Sequence, residues 1–265
     1  MNIVVCTKQV PDTAATLKVD EQSHVSWGDA PLVINPWDEY AVEEALRLKE
    51  QHGGKVTVVA LGPDPSREAL KQAVAMGCDE AVQVWDPAFD GSDAPATALI
   101  LTKAIEKLGD VDLALFGKQA IDGDTGLVQP GVARQLNWPL LAYVAKIRAL
   151  DPAGKTITVE RLLEEGRQVV SSRLPAVVAV VKEINEPRYP SFMGIRKASK
   201  MQPAVWSAAD LGLDPARVGR GAAGVQWTRI SAPPPRAVSV EFITGDTPEA
   251  IAATLADKLL AEKVL

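Results

Sequence analysis

Cysteine and histidine are scarce in this chain, each occurring twice in 265 residues. Cys6 and Cys78 make neither a disulfide framework nor a metal-ligand spacing. With only His24 and His52 beside them, no metal site is expected. Long apolar runs are missing too: the longest stretch without a charge is the 11 residues 135–145. A membrane-spanning helix needs roughly 20 apolar residues, which excludes one here. Lys8 and Asp12 interrupt the start of the chain, so no secretory leader is expected and the expected location is cytoplasmic. Basic charge is not in excess either. The chain has 28 Lys and Arg against 34 Asp and Glu, net −6, which argues against a general nucleic-acid partner. Neither G-x-G-x-x-G nor G-x-x-x-x-G-K-[ST] occurs, so phosphoryl transfer of the P-loop type loses its lysine. No nucleophile triad stands out. His24 lies in a polar stretch and His52 at a helix end, where exposure is the default. Cys6 and Cys78 read as small core residues, and no catalytic residue is assigned.

What is present is an ordinary globular composition, 47% hydrophobic and 23% charged, long enough to bury a full core. The charge is unevenly spread. Residues 1–185 carry 18 basic and 26 acidic side chains (net −8), residues 186–240 carry 8 and 3 (net +5), and residues 241–265 carry 2 and 5 (net −3). The middle segment also holds 7 Pro and 5 Gly and shows no clear periodicity. We therefore read 1–185 as the compact domain, 186–240 as an extended, irregular arm, and 241–265 as a closing strand and helix. In that helix, expected over 247–263, Thr247 caps the N-terminus and Pro248 occupies the first helical position. Ile251, Leu255, Leu259 and Leu260 share an apolar face that needs a surface to cover, in this chain or another.

The first 140 residues alternate strand and helix signals. Strands are expected at Asn2–Thr7, Lys55–Leu61, 81–85 and Leu113–Gly117. Helices are expected at 37–51, Arg67–Met76, Ala94–Leu108 and 126–136. In the first helix Ala41, Leu46 and Leu48 point inward and the Glu and Lys residues outward. Further strands are expected at 156–161 and 168–180, with Glu164-Glu165 solvated in the turn between them. This alternation predicts an α/β fold with a mostly parallel sheet flanked by helices. Ligands in such sheets bind beyond the carboxyl ends of strands. Three strand-end loops stand out: 8–12 (KQVPD), 61–63 (LGP) and 117–125 (GKQAIDGDT). The last leads into a helix N-terminus, whose free N–H groups and dipole favour an anion such as phosphate. Gly123 and Gly126 would permit close backbone approach. Asp122, Asp124 and Thr125 also read as plain turn and cap residues, so the residues alone reach a possible nucleotide site and no reaction.

Several ordered motifs then carry a resemblance. IVVCTKQVPD at 3–12, NPWDEYAVEEAL at 35–46, ALGP at 60–63, GKQAIDGDTG at 117–126 and LNWP at 136–139 run in sequence. VERLLEEGRQVV at 159–170, LPAVVAV at 174–180 and NEPRYP at 185–190 follow. Together they resemble the small (β) subunit of the electron transfer flavoproteins along the whole chain. The resemblance implies a fold of the adenine-nucleotide-binding, Rossmann-like kind (adenine nucleotide alpha hydrolase-like). It implies a heterodimer with an α subunit that carries FAD. That complex passes electrons from acyl-CoA or other dehydrogenases, as in fatty acid β-oxidation, to a quinone reductase or another acceptor. The β subunit itself is an electron-carrier subunit rather than an enzyme. It holds AMP or, in electron-bifurcating members, a second FAD.

Carried over by position, the nucleotide site takes in Cys6, Asn35, Pro36, Trp37, Asp38 and Leu61. It continues through Gly117, Lys118, Gln119, Ala120, Ile121, Asp122, Gly123, Asp124, Thr125, Gly126, Leu127 and Val128. Asp122 or Asp38 is expected on ribose hydroxyls, the N–H groups of 123–128 on phosphate, and Asp124 as a helix cap. Trp37 aligns with an aromatic near the α-subunit flavin, or else packs in the core or subunit interface. Gln129 replaces a glycine usual in the bifurcating branch, which favours AMP over a second FAD and leaves both open. SFMGIRKASK at 191–200 matches the family's dehydrogenase-recognition loop, with Phe192 as anchor, Met193 and Ile195 beside it, and Arg196, Lys197 and Lys200 supplying charge. The competing class is an ATP-using enzyme or nucleotide sensor of the same superfamily, which needs triphosphate-binding residues not found here.

Overall fold

In the computed structural model, residues 1–225, 227–234 and 239–264 are described. β1 (Asn2–Thr7) leads into an excursion of short strands: β2 (Gln9–Pro11), β3 (Lys18–Val19), β4 (Val25–Ser26) and β5 (Leu32–Ile34). There follow α1 (Pro36–His52), β6 (Lys55–Leu61), α2 (Arg67–Met76), β7 (Glu80–Val84), α3 (Ala94–Leu108), β8 (Leu113–Gly117) and α4 (Val128–Leu136). Then come β9 (Leu140–Asp151), β10 (Thr156–Leu163), β11 (Gly166–Arg173), β12 (Ala176–Val180), α5 (Phe192–Ser199), β13 (Ala204–Trp206) and α6 (Pro248–Ala261).

A nine-stranded sheet in the order β11-β10-β9-β12-β8-β1-β6-β7-β13 forms the centre. It is parallel from β9 to β13, and β9, β10 and β11 pair antiparallel. The expected α/β architecture with a mostly parallel sheet is the one observed. The strand sequences explain why it is buried on both faces. In β1, Ile3 and Val5 join the core under α1 and α2, while Val4 and Cys6 join the core under α3 and α4. The side chains of successive strand residues point to opposite faces, so an unbroken apolar run fills two cores at once.

Three features depart from the sequence reading. The first is β9, which was not foreseen. Its pairing with β12 shifts register between Val178 and Val180, and Tyr143 has φ 57°. A bulge of this kind breaks the two-residue alternation that marks a strand. The second is the segment 186–240, which is not wholly irregular. It supplies α5, the edge strand β13, and Ala208, Leu211, Leu213 and Val218 to one core, with Ala198 to the other. Its periodicity is weak because each element is short. The third is α1, where Glu43 and Glu44 are buried rather than solvated. The chain at 185–188 crosses over them, a contact between residues some 140 positions apart.

The remaining sequence details take simple places, except that among the described residues no closing strand precedes α6, which corrects that expectation. Glu164 and Glu165 are exposed in the β10–β11 turn, and His24 and His52 are exposed. Cys6 and Cys78 are free and buried. The Ala250 N–H donates to the Thr247 hydroxyl, which caps α6 as expected, but none of its residues is buried.

Helix α5 lies against α2 because Gly194 has no side chain. A Cβ there would stand 2.0 Å from the Ala75 carbonyl oxygen, whereas one on Gly123 would meet nothing within 4 Å. Gly194→Ala is expected to lose roughly 1–3 kcal/mol by overpacking, and Gly123→Ala very little. Urea unfolding of both variants checks this, and equal stability would show that α5 can lift off α2 freely.

Candidate functional site

The chain runs outward from β1 to β6 and β7, then returns to β8 and β12 on the other side of β1. The order therefore reverses between β1 and β8. A crevice beyond the carboxyl ends of strands at such a reversal is the usual ligand position in an open α/β sheet. Lys8 follows β1 there and Lys118 follows β8.

The first turn of α1 is wedged between these loops. Asp38 is buried, and both of its oxygens are taken: the Lys8 N–H donates to Oδ2 at 2.8 Å and the Gly117 N–H to Oδ1 at 3.1 Å. Asn35, also buried, does the same one turn earlier. Its Nδ2 donates to the Gln119 carbonyl at 2.9 Å, its Oδ1 accepts from the Ile121 N–H at 3.2 Å, and its own N–H donates to the Lys8 carbonyl at 2.7 Å. Pro36 opens the helix at its first position. Gly117 is required by this approach, since a Cβ there would sit 2.5 Å from Trp37 Cβ and 2.6 Å from Asp38 Oδ1. Trp37 is half-buried rather than a core residue, with the Lys118 ammonium 4.6 Å from its ring centroid, a cation–π contact.

The loop after β8 is open. Asp122, Gly123, Asp124, Thr125 and Leu127 are exposed, and Lys118, Gln119, Ala120, Ile121, Gly126 and Val128 are half-buried. Lys8 Nζ donates to both Asp122 oxygens at 2.8 and 2.7 Å, bridging the crevice from β1 to this loop. Asp124 accepts from Gln119 Nε2 at 2.5 Å, and its N–H donates to the Ala120 carbonyl at 2.9 Å. It does not cap the following helix, which corrects the expectation. Leu127 occupies the cap position of α4 and no side chain caps it. The first N–H groups of α4 thus lack side-chain acceptors, beside a backbone turned by Asp124 (φ 53°) and Gly126 (φ 58°). An anion there would meet N–H donors and the positive helix end, with both nearby carboxylates already engaged.

Cys6 lies one residue before the end of β1, and Leu61 ends β6. Cys6 lies within the core, and burial, with Asp38 adding to it, pushes its thiol well above the ordinary range, which makes it no nucleophile. Leu61 is half-buried before Gly62, whose carbonyl accepts from Ser66 Oγ at 3.0 Å and Gln83 Nε2 at 2.9 Å. Two residues outside the expected set matter. Lys8 was marked only by its strand-end position. Gln129 turns inward and donates from Nε2 to the Lys118 carbonyl at 2.5 Å. Asp38 is also reassigned. Both oxygens are used within the chain, so it positions the two loops and is not left free for a ribose. Among the described residues no cluster of His, Cys, Asp and Glu is placed to hold a metal ion, and no helix is long and apolar enough to cross a membrane.

The expected docking residues split. Phe192, Met193 and Ile195 are exposed on α5, at 80, 67 and 53%, with Arg196 beside them. Lys197 is drawn away: its ammonium donates to the carbonyls of Cys78 at 3.0 Å and Asp79 at 3.1 Å, just past the end of α2.

Burial pushes the Asp38 carboxyl from 3.8 up to about 7, and the N–H donors of Lys8 and Gly117 only partly offset it. A carboxyl that holds its proton more tightly folded than unfolded favours the fold below its unfolded value. That contribution is lost as pH rises through about 7. Urea unfolding between about pH 4 and pH 8 should therefore show a decline in the wild type that Asp38→Asn lacks, with the variant's deficit largest at acid pH. Parallel profiles would remove Asp38 as the source.

The electron transfer flavoprotein domain matches residues 28–211 of this chain. The chain is 40% identical over 267 residues to the electron transfer flavoprotein subunit beta of Thermoanaerobacterium thermosaccharolyticum, covering all of both. It is 39% identical over 267 residues to the caffeyl-CoA reductase-Etf complex subunit CarD of Acetobacterium woodii, again covering all of both. Protein FixA of Azorhizobium caulinodans is 39% identical over 248 residues, covering 92% of this chain and 88% of FixA. The strand-end geometry and these full-length likenesses agree: the chain belongs to the electron transfer flavoprotein family, on its β-subunit side.

Proposed function

We propose that this chain is the β subunit of a heterodimeric electron carrier and holds AMP as a structural nucleotide in the β1–β8 crevice. The observation that carries this reading is the uncapped N-terminus of α4, reached by the loop that Lys8 holds through Asp122, at the reversal of strand order. Backbone groups near Cys6 and Leu61 would face adenine and ribose, the N–H groups of Gly126 to Val128 would hold phosphate, and Lys8, still paired with Asp122, would offer it a remaining N–H. AMP is preferred because Gln129 fills the space behind the loop. A second FAD in the same crevice is the other reading, favoured by the likeness to a subunit of a reductase complex.

The partner α subunit would carry the redox-active FAD. The unburied helix α6 and the exposed Trp227, Val240 and Phe242 support a second chain covering this end. Exposed Phe192, Met193 and Ile195 with Arg196 on α5 would dock dehydrogenases, acyl-CoA dehydrogenases among them, before electrons pass on to a quinone reductase or another acceptor. A rigid aromatic in a cationic surround suits a brief contact with an acidic partner.

Acid release from the purified heterodimer should yield equal amounts of FAD and AMP. Twice the FAD and no AMP would replace the first reading by the second. Lys8→Ala should weaken nucleotide retention in this chain about tenfold or more, as expected for loss of a charge-assisted bond, while the α-subunit flavin absorbance persists. Phe192→Ala should slow electron delivery from an acyl-CoA dehydrogenase on the order of tenfold with cofactor content intact. Unchanged delivery would refute the docking role.

A further inference from the structure

The buried carboxylates Glu43 and Glu44, further along α1 than Asp38, have no part in the proposed nucleotide site, yet they are closely tied. Glu43 is 2% exposed. Its oxygens accept from Arg188 Nε at 2.7 Å, Arg188 Nη2 at 3.2 Å, the Arg188 N–H at 3.2 Å and Arg47 Nε at 2.7 Å. Arg188 also donates to both oxygens of Glu50, at 2.5 and 3.2 Å. One guanidinium thus grips two carboxylates seven residues apart on the same helix face, using the planar fork that a lysine lacks. Next to it Asn185 Nδ2 donates to the Tyr40 carbonyl at 3.1 Å and to Glu44 at 3.0 Å, and Arg47 Nη2 donates to the Glu186 carbonyl at 3.3 Å.

This clasp fixes residues 185–188, and α5 begins four residues later at Phe192. Beyond the clasp, α5 is held by its contact with α2, by Lys197 on the Cys78 and Asp79 carbonyls and by Ala198 in the core. The connection 189–191 is exposed throughout. Without the clasp the approach to α5 would be tethered only at its far end. The buried Glu43 would also lose most of its donors.

We infer that Arg188 is a positioning residue: gripped by Glu43 and Glu50, it sets the angle and order with which α5 presents Phe192, Met193 and Ile195 to a redox partner. The inference rests on the docking reading of α5 given above. Arg188 acts through the short connection it anchors, and α1 is the common support of that anchor and, through Asp38, of the crevice loops.

The test uses the complete heterodimer with Arg188→Ala, Arg188→Lys, Glu50→Gln and Phe192→Ala. Hydrogen exchange of the α5 amides should speed up about tenfold in Arg188→Ala, less in Arg188→Lys and least in Glu50→Gln, with β12 amides and flavin content unchanged. With an acyl-CoA dehydrogenase as electron donor, Arg188→Ala should raise the carrier concentration for half-maximal rate several-fold and leave kcat unchanged. Unchanged α5 exchange overturns the inference. Faster exchange with unchanged half-saturation, where Phe192→Ala is impaired, overturns it too and leaves docking intact. If both variants deliver electrons normally, the docking reading fails. Glu50→Gln removes only the exposed half of the clasp, so it serves if Arg188→Ala does not fold.

Discussion

The carboxylate of Asp38 governs the geometry of this protein. It is buried at the start of α1 and accepts from the backbone N–H groups of Lys8 and Gly117, the first residue beyond β1 and the last residue of β8. Those strands are neighbours at the point where strand order reverses. One side chain therefore sets the spacing of the two loops that frame the crevice. Taking a carboxylate out of water is costly unless its oxygens are bonded, and here both are. Gly117 is the structural counterpart: any larger residue would push the helix turn away from the strand.

From this anchor α1 carries constraint in two directions. At its N-terminal end Asn35 fixes the backbone of Gln119 and Ile121, so the loop after β8 takes its course from the helix rather than from its own sequence. Further along, Glu43, Glu44 and Glu50 hold the crossing chain at 185–188. A single helix supports both the proposed nucleotide site and the base of the proposed docking helix. Its acidic residues divide by face, some solvated and others buried under the returning chain.

Within the crevice the engagement of carboxylates decides what the site can hold. Asp122 and Asp124 stand in the loop that would meet a phosphate, and free carboxylates there would repel it. Lys8 and Gln119 take up their oxygens, leaving the α4 N-terminus as the unmatched electrostatic feature. In the proposed site, backbone donors rather than a catalytic side chain would hold the ligand.

The sequence by itself determined the parallel α/β core, because apolar runs of five to seven residues separated by helical periods admit few other packings. Its ordered motifs also marked the family. Bulged β9 escaped it, because the break at Tyr143 hides the alternation. So did α5 and β13, too short for a periodic signal. Only the tertiary structure decided the roles of individual charges. Asp38, Glu43, Asp124 and Lys197 look alike in sequence to solvated residues. Each is committed by a partner distant in the chain or by a local turn, and burial and hydrogen bonding depend on what folds over a residue rather than on its neighbours in sequence.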